Sequence, residues 1–245
     1  MINLLISLGL AAATTVGLGL YTGFGLASFP GVVVAIASYL LLARRTNKQL
    51  EALMPEVQKA LAARKPEEAI RLLKSARELG RWQFLVAPVL DAQIGMIHYT
   101  YQQNFEAARP FLEQAYVKQW QAKLMLAALH FQKKRWEEMT AAFEEATKHN
   151  KKAGLTWAAW AWCEARRGNK TLAIEILGKG LKAQPEDEKL KANLLNLQNG
   201  KKMKMKAYAE EWWALLLEKP PVQMVGMGGK PVRGGMRQKR GGRRR

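Results

Sequence analysis

The spacing of hydrophobic and polar positions divides the chain into three parts. The first 43 residues contain no charged side chain, and the following part places apolar residues at helical intervals between charged ones. No run alternates with the two-residue period of a strand. Beyond residue 218 the apolar periodicity stops, and glycine, proline and basic residues dominate. The pattern predicts an all-α protein with a membrane anchor at 1–45, a helical domain at 46–218 and a disordered basic tail at 219–245.

The uncharged stretch is too long for one straight membrane crossing. Forty-three helical residues would span about 64 Å, roughly twice the 30 Å hydrocarbon core of a bilayer. Two helix-breaking sequences, Gly23-Phe24-Gly25 and Pro30-Gly31, interrupt the stretch. The sequence therefore predicts a transmembrane hairpin, with one helix over 2–21 and a shorter one over about 26–43. Gly9, Ala13 and Gly17 lie four residues apart, which predicts that their face packs against the second helix.

Two other arrangements fit the same stretch. A signal peptide usually begins with a basic region and has an apolar core of about seven to fifteen residues, whereas this apolar run is longer and no Lys or Arg precedes it. A single anchor, with the other apolar segment in the membrane interface, also fits. In either membrane arrangement Arg44, Arg45 and Lys48 favour a cytoplasmic location for that end, and hence for the helical domain and the C-terminus.

The clearest internal pattern lies within residues 154–187. Its landmark residues, large and small in a fixed order, are Trp157, Ala161, Gly168, Ala173, Leu177, Gly180 and Pro185. Small residues let two antiparallel helices approach closely, while large ones fill the space beside them. This order resembles the tetratricopeptide repeat (TPR). The resemblance implies an α-solenoid of antiparallel helix pairs, whose activity is binding rather than catalysis.

The pattern recurs on both sides of Ala173, the small residue of the second helix. Met139 lies thirty-four residues before it and Ala207 thirty-four after it, which is the period of the repeat. Upstream, Ala108 and Ala69 occupy the same role at irregular spacings of thirty-one and thirty-nine residues. The register therefore predicts a helix pair around each of these five residues.

The resemblance also implies a binding groove, because TPR proteins that bind peptides use the face lined by their first helices. The partner-binding candidates are Ile97, Leu124, Phe131, Leu155, Trp162, Asn196 and Asn199. Chaperone-binding members carry a clamp of Lys, Asn and Arg, whereas the corresponding places here hold Gln93, Ile97, Leu124, Ala128, Ala158 and Trp162. This departure favours an apolar or amphipathic helix or peptide as the partner. Alternatively, the protein's own flanking helix covers these residues.

Four tryptophans and the single cysteine receive different interpretations. Trp157 and Trp160 fall on packing positions and are predicted to lie in the core, as is Cys163, which cannot form an intramolecular disulfide. Trp212 and Trp213 come late in the last helix, where a solenoid normally presents a polar cap. They are predicted to contact the bilayer interface or another subunit.

Candidate catalytic and metal-binding residues are few. Glu137-Glu138 and Glu144-Glu145 fall on helices and are interpreted as a solvated face. His98, His130 and His149 share no metal-ligand spacing with one another or with the cysteine. The sequence contains no phosphate-binding loop, nucleophile elbow or dinucleotide-binding motif. It predicts no enzymatic activity, no metal and no cofactor.

The basic tail adds to the functional hypotheses. The formal net charge is +19, and the tail carries basic residues but no acidic one. The polyanion-binding candidates are Arg233, Arg237, Lys239, Arg240, Arg243, Arg244 and Arg245. Such a tail is attracted to anionic lipid, and its two Arg-Gly-Gly steps resemble RGG segments that bind RNA. The sequence predicts a membrane-anchored scaffold or adaptor that binds a protein partner. The alternative is an RNA- or ribosome-associated membrane protein that acts through the tail.

Overall fold

A computed structural model describes residues 1–219, except for the side chain of Thr22, and every regular element in it is helical. This confirms the all-α class. The α-helices are α1 (Ile2–Thr22), α2 (Phe24–Ala62), α3 (Pro66–Ala76), α4 (Val86–Thr100), α5 (Phe105–Glu113), α6 (Trp120–Gln132), α7 (Trp136–His149), α8 (Gly154–Arg166), α9 (Lys170–Ala183), α10 (Glu188–Gln198) and α11 (Ala209–Trp213). Two 3₁₀ helices span Arg77–Arg81 and Met205–Tyr208.

Helix pairs follow one another along the described chain. The end of α2 packs with α3, α4 with α5, α6 with α7, and α8 with α9. Each pair is joined by a turn of three or four residues, so its helices run antiparallel. Two residues before each second helix the backbone has a positive φ, at Arg64 (58°), Gln103 (51°), Lys134 (58°) and Gly168 (96°). The same left-handed turn, which satisfies the carbonyls at a helix end, therefore recurs in every pair.

The predicted register fits four of these pairs. Ala69, Ala108, Met139 and Ala173 lie in α3, α5, α7 and α9, and each is fully buried. Close approach explains why small residues occupy such places: a Cβ added to Gly180 in α9 would lie 2.8 Å from the Cβ of Trp157 in α8. The positions that set the helix spacing could thus be identified from the sequence, whereas membership of the TPR family stays a prediction.

The fifth predicted helix pair, around Ala207, does not form. The turn itself is present, with Gly200 at φ 68° and the Lys201 N–H donating to the carbonyl of Asn196 at 2.7 Å. The chain then runs irregularly to a 3₁₀ helix in which Ala207 is exposed. The stretch 201–206 carries four lysines and no acidic residue, whereas α3, α5 and α7 have glutamates in their first turns. Positive charges in a first turn oppose the helix dipole and disfavour a helix here, although α9 forms with Lys170 at its start and no acid in its first turn.

The first two helices form a hairpin. Gly23, at φ 86°, breaks the chain between α1 and α2, as predicted, and the two helices pack along each other. The second predicted break is wrong, because α2 continues through Pro30 for 39 residues. One hydrogen bond lost at a proline is tolerated where packing against a neighbouring helix supports the backbone. The same helix therefore runs from the hairpin into the first helix pair.

The packed face of the hairpin differs from the predicted one. Gly9 and Gly17 have open space around them among the described residues. The close approach occurs instead at Gly31, where an added Cβ would collide with the Thr15 side chain. Near the start of α1, Asn3 is buried and its Nδ2 donates to Thr46 Oγ1 at 3.3 Å. The packed face is thus the one that carries the polar groups of α1, as expected if the opposite face met an apolar surrounding.

Both hairpin helices are long and apolar enough to cross a membrane, by length and composition. Large apolar side chains point outward along them, among them Leu5, Leu20, Leu26, Phe29 and Ile36. A helix in the core of a soluble protein would bury such side chains. The hairpin therefore presents a continuous apolar surface on the outside.

Two glycines of α9 provide a test of the helix spacing. Gly180→Ala should lower the free energy of unfolding by about 1–3 kcal/mol, because its Cβ would overlap Trp157. Gly178→Ala should leave it unchanged or raise it by up to about 1 kcal/mol, because alanine favours a helix and the space there is open. Urea unfolding of the detergent-solubilised chain, followed by circular dichroism, measures both. Equal effects would contradict close packing at Gly180.

Candidate binding groove

The first helices of successive pairs share a surface that the end of the described chain covers. We call residues 203–218 the C-terminal segment. It forms side-chain contacts or hydrogen bonds with α4, α6, α8 and α10. We call the surface beneath it the groove, defined by Tyr99, Phe131, Gln132, Trp162 and Arg166. The segment, which contains a 3₁₀ helix and α11, thus contacts the first helices of several successive pairs.

Aromatic rings occupy the centre of the groove. Trp212 of the segment is fully buried, and its ring meets Trp162 of α8 edge-on with centroids 5.1 Å apart. Phe131 of α6 lies on the other side, 5.7 Å from the Trp162 ring. Edge-to-face pairs of this kind contribute about 0.5–1.5 kcal/mol beyond the burial of apolar area. Trp212 is therefore the apolar anchor of the segment.

Polar side chains hold the backbone of the segment. The Tyr99 hydroxyl donates to the carbonyl of Leu215 at 2.6 Å, and Gln132 Nε2 donates to the carbonyl of Leu216 at 3.3 Å. Gln132 also donates to the Tyr99 hydroxyl at 3.2 Å. Burial raises the pKa of Tyr99, which keeps its hydroxyl protonated and able to donate. These bonds recognise main chain and do not depend on the side chains at Leu215 and Leu216.

At the end of the segment, the carboxylate of Glu218 lies close to basic side chains. Glu218 accepts a hydrogen bond from Trp212 Nε1 at 3.1 Å and pairs with Arg166 at 3.5 Å. The Arg166 guanidinium also lies over the Trp162 ring, 4.8 Å from its centroid. Beside this pair is a cleft of about 400 Å³ whose lining includes Arg166, Lys170, Lys201 and Lys202. This end of the groove favours a carboxylate.

The conformation of the segment depends on its contacts. Ala209 and Leu216 have φ values of 50° and 54°, a region that side-chain-bearing residues rarely adopt. Its helix α11 spans five residues, too few to be stable alone. At the other end, the Lys204 N–H donates to Asn193 Oδ1 at 2.7 Å. Packing against the first helices therefore maintains a backbone that the sequence would not adopt by itself.

The predicted partner-binding residues fall into different places. Phe131 and Trp162 meet in the groove. Leu124 and Leu155 are buried in the main core, and Ile97 is buried in a second core formed with α2 and α3. At the end of α10, Asn196 is half-buried and Asn199 is exposed. The structure thus brings together two of the seven, and partner binding by any of them stays a prediction.

Three groove residues were not among the predicted ones, although the sequence contains a signal for them. Tyr99, Gln132 and Arg166 lie 33 and 34 residues apart, close to the repeat period, near the ends of successive first helices. Polar or aromatic residues that recur at that period on first helices indicate a shared surface. Their side chains bind the segment directly.

The tryptophan predictions have two outcomes. Trp157, Trp160 and Cys163 are buried in the main core, as predicted, and burial raises the pKa of the thiol. The predicted contact of Trp212 and Trp213 with the bilayer or another subunit is wrong, because the chain itself buries both. Since no second helix follows α10, the segment covers the groove, which agrees with the alternative that the protein's own flanking chain covers Phe131 and Trp162.

Two further classes of site remain, metal-binding groups and the basic tail. Among residues 1–219 no three His, Cys, Asp or Glu side chains are grouped so that they could hold a metal ion. The polyanion-binding candidates from Arg233 to Arg245 lie outside the described residues. Comparison with known proteins adds no identification, since no protein-family model fits the sequence and no curated protein matches it.

Proposed function

We propose that this protein is a membrane-anchored scaffold or adaptor that binds a protein partner through its TPR-like helical domain, with no chemical reaction. The observation that supports it most is the groove, which holds the mostly helical C-terminal segment by two hydrogen bonds to its backbone and by an aromatic anchor. Peptide-binding surfaces combine these two elements, main-chain bonds for alignment and a buried anchor for affinity. The hairpin supplies attachment to the membrane.

The C-terminal segment indicates the chemistry of the partner. Trp212 fills the space beside Trp162, and Glu218 lies at the cationic end near Arg166. A partner that replaces the segment would present an apolar or amphipathic stretch, with an aromatic side chain followed by an acid. Because Arg166 is largely exposed, the ion pair contributes little, about 0–1 kcal/mol, and the aromatic anchor dominates the affinity.

Partner binding is then controlled by release of the segment. A tethered segment competes at an effective concentration on the order of millimolar. Only the small fraction of molecules whose groove is open can bind a partner there. The apparent affinity for the partner is therefore the intrinsic affinity multiplied by that fraction. Substitutions that weaken the segment, but spare the groove, should strengthen partner binding.

We propose a cytoplasmic location for the helical domain, supported by the positive charges of Arg44, Arg45 and Lys48 just after the apolar run. The hairpin brings α1 back to the same side as the domain, because the interrupted apolar stretch turns at Gly23. The partner would accordingly be a cytoplasmic protein, or the cytoplasmic part of another membrane protein.

Affinity purification in mild detergent with quantitative mass spectrometry tests this function on the full chain. Trp212→Ala should enrich a specific set of proteins by about tenfold or more over the unchanged chain, because it opens the groove. Adding Trp162→Ala should remove that set, because the groove then lacks its aromatic wall. Leu172→Ala, at an exposed position of α9 outside the groove, should leave recovery unchanged. Recovery of the same proteins in the same amounts, whether or not the two groove substitutions are present, would contradict the proposal.

A further inference from the structure

The open end of the hairpin is tied to the loop between α3 and α4. The nitrogen of Met1 donates to the carbonyl of Arg81 at 2.6 Å, and the Asn3 N–H donates to the carbonyl of Trp82 at 3.0 Å. The Asn3 side chain donates to Thr46 of α2. The start of α1, the middle of α2 and this loop are therefore fixed relative to one another.

Two clefts lie on either side of Trp82, and they differ in polarity. A cleft of about 320 Å³ is lined by Met1, Leu4, Tyr39, Trp82 and Phe84. A second cleft, of about 270 Å³, is lined by Asn3, Leu42, Arg45, Thr46, Gln49, Leu79 and Trp82. The side chains of the first cleft are apolar apart from the Tyr39 hydroxyl and the Trp82 indole N–H, and the Met1 amine there donates to the carbonyl of Arg81. The second cleft offers a guanidinium and neutral hydrogen-bonding groups. No described acidic residue lines either cleft.

The order of the two clefts matches the layers of a membrane. From Phe24 to Leu42, α2 rises about 28 Å, close to the thickness of a hydrocarbon core. Tyr39, in the apolar cleft, lies on the hydrocarbon side of Arg45, which is about 9 Å farther along the helix. The apolar cleft thus falls at the edge of the hydrocarbon, and the polar cleft falls among the headgroups.

Exposed aromatic side chains lie beside the same two clefts. Trp82 is 44% exposed and Phe84 61% exposed, although large apolar residues of the helical domain are mostly buried. Tryptophan is favoured at the membrane interface, where its ring is amphipathic. Arg45 lines the polar cleft, whereas Arg81 of the loop is paired with Glu78 at 3.1 Å, so the positive charge at the cleft comes from Arg45 and suits an anionic rather than a zwitterionic headgroup.

We infer that the open end of the hairpin binds one anionic phospholipid of the membrane that holds the protein. One acyl chain of the lipid lies in the apolar cleft against Tyr39 and Phe84. Trp82 lies between this acyl chain and the headgroup, and the lipid phosphate accepts hydrogen bonds from Arg45. This inference rests on the proposed membrane anchor. It goes beyond the anchor because it assigns a specific site and a class of lipid to named side chains.

Native mass spectrometry of the full chain, released from mixed micelles of phosphatidylglycerol and phosphatidylcholine, tests the site. The unchanged chain should retain one phosphatidylglycerol in preference to phosphatidylcholine. Arg45→Gln should reduce its retention by about tenfold, because it removes a charge-assisted hydrogen bond, and Trp82→Ala should reduce it similarly. The matched control is Arg44→Gln, which removes the same charge from a neighbour that lines neither cleft. It should change retention less than twofold.

Several results would overturn the inference. Equal losses for Arg44→Gln and Arg45→Gln would mean that charge alone attracts lipid. Equal retention of the two lipids, displacement by inorganic phosphate, or a dimer that requires Trp82 would assign the clefts to another occupant. A fluorophore at Phe29→Cys, in a Cys163→Ala background, reports the anchor separately through quenching by lipid-borne quenchers. Quenching without lipid retention would reject the site and keep the anchor, whereas absence of quenching would reject both.

Discussion

Trp212→Ala is expected to free the C-terminal segment from the groove while the helix pairs stay folded. Replacing a fully buried tryptophan by alanine costs about 3–5 kcal/mol. The segment contributes no second helix to a pair, and its backbone is held by groove contacts, so the loss falls on its docking. Amide hydrogen exchange over 205–217 should accelerate by about 100-fold or more, measured by mass spectrometry on the detergent-solubilised chain.

Amides of α6 to α9 should keep their protection in the same sample. Trp82→Ala serves as the control, since it removes the same side chain from a half-exposed site outside the groove. It should leave exchange over 205–217 unchanged. Faster exchange spread evenly through α6 to α9 would show instead that Trp212 is part of a single cooperative core, and that the segment is not a separable ligand.

Deleting residues 1–45 is expected to move the protein from the membrane pellet to the soluble fraction after alkaline carbonate extraction. Each Leu, Ile, Phe or Val favours insertion by roughly 0.3–0.6 kcal/mol at the centre of a membrane helix, and two such helices make attachment effectively irreversible. Residues 46–62 of α2 remain to pack with α3, so circular dichroism should still show a helical domain.

Two further measurements distinguish an anchoring hairpin from attachment through the basic tail and from a cleaved signal peptide. Removing residues 220–245 instead should leave the protein in the pellet, because electrostatic attraction by a tail is screened by salt and is removed by carbonate. Mass spectrometry of the membrane-bound chain should recover residues 2–21. A mature chain beginning near residue 27 would contradict the hairpin and identify the first apolar stretch as a cleaved signal.

The helix pairs could be predicted from the sequence because their packing leaves a local signature. Small or closely packed residues such as Ala108 and Ala173 must lie where two helices approach, and turn residues such as Gly168 must adopt a left-handed conformation. Both constraints act within one pair and recur at the repeat period. A single chain therefore reveals them without any knowledge of how the pairs meet.

Features decided by long-range contacts could not be predicted in the same way. The register placed Ala207 in another helix, whereas the segment that contains it docks through Trp212 on Trp162 and through Leu215 on Tyr99, which lies 116 residues earlier in the chain. In the hairpin, Gly9 and Gly31 are equally small, but only Gly31 lies at the close approach, on the face where Asn3 is buried against Thr46. Periodicity alone carries no information on such choices.

The most direct test of the groove is titration of a fluorescently labelled peptide of residues 203–218 against the full chain in detergent, followed by anisotropy. The Trp212→Ala chain should bind the peptide saturably, and the unchanged chain should bind it at least about tenfold more weakly, because its own segment competes from the same molecule. Trp162→Ala added to Trp212→Ala should abolish binding while helicity is kept. Equal binding to all three chains, or binding to none, would contradict a groove that recognises apolar, aromatic segments.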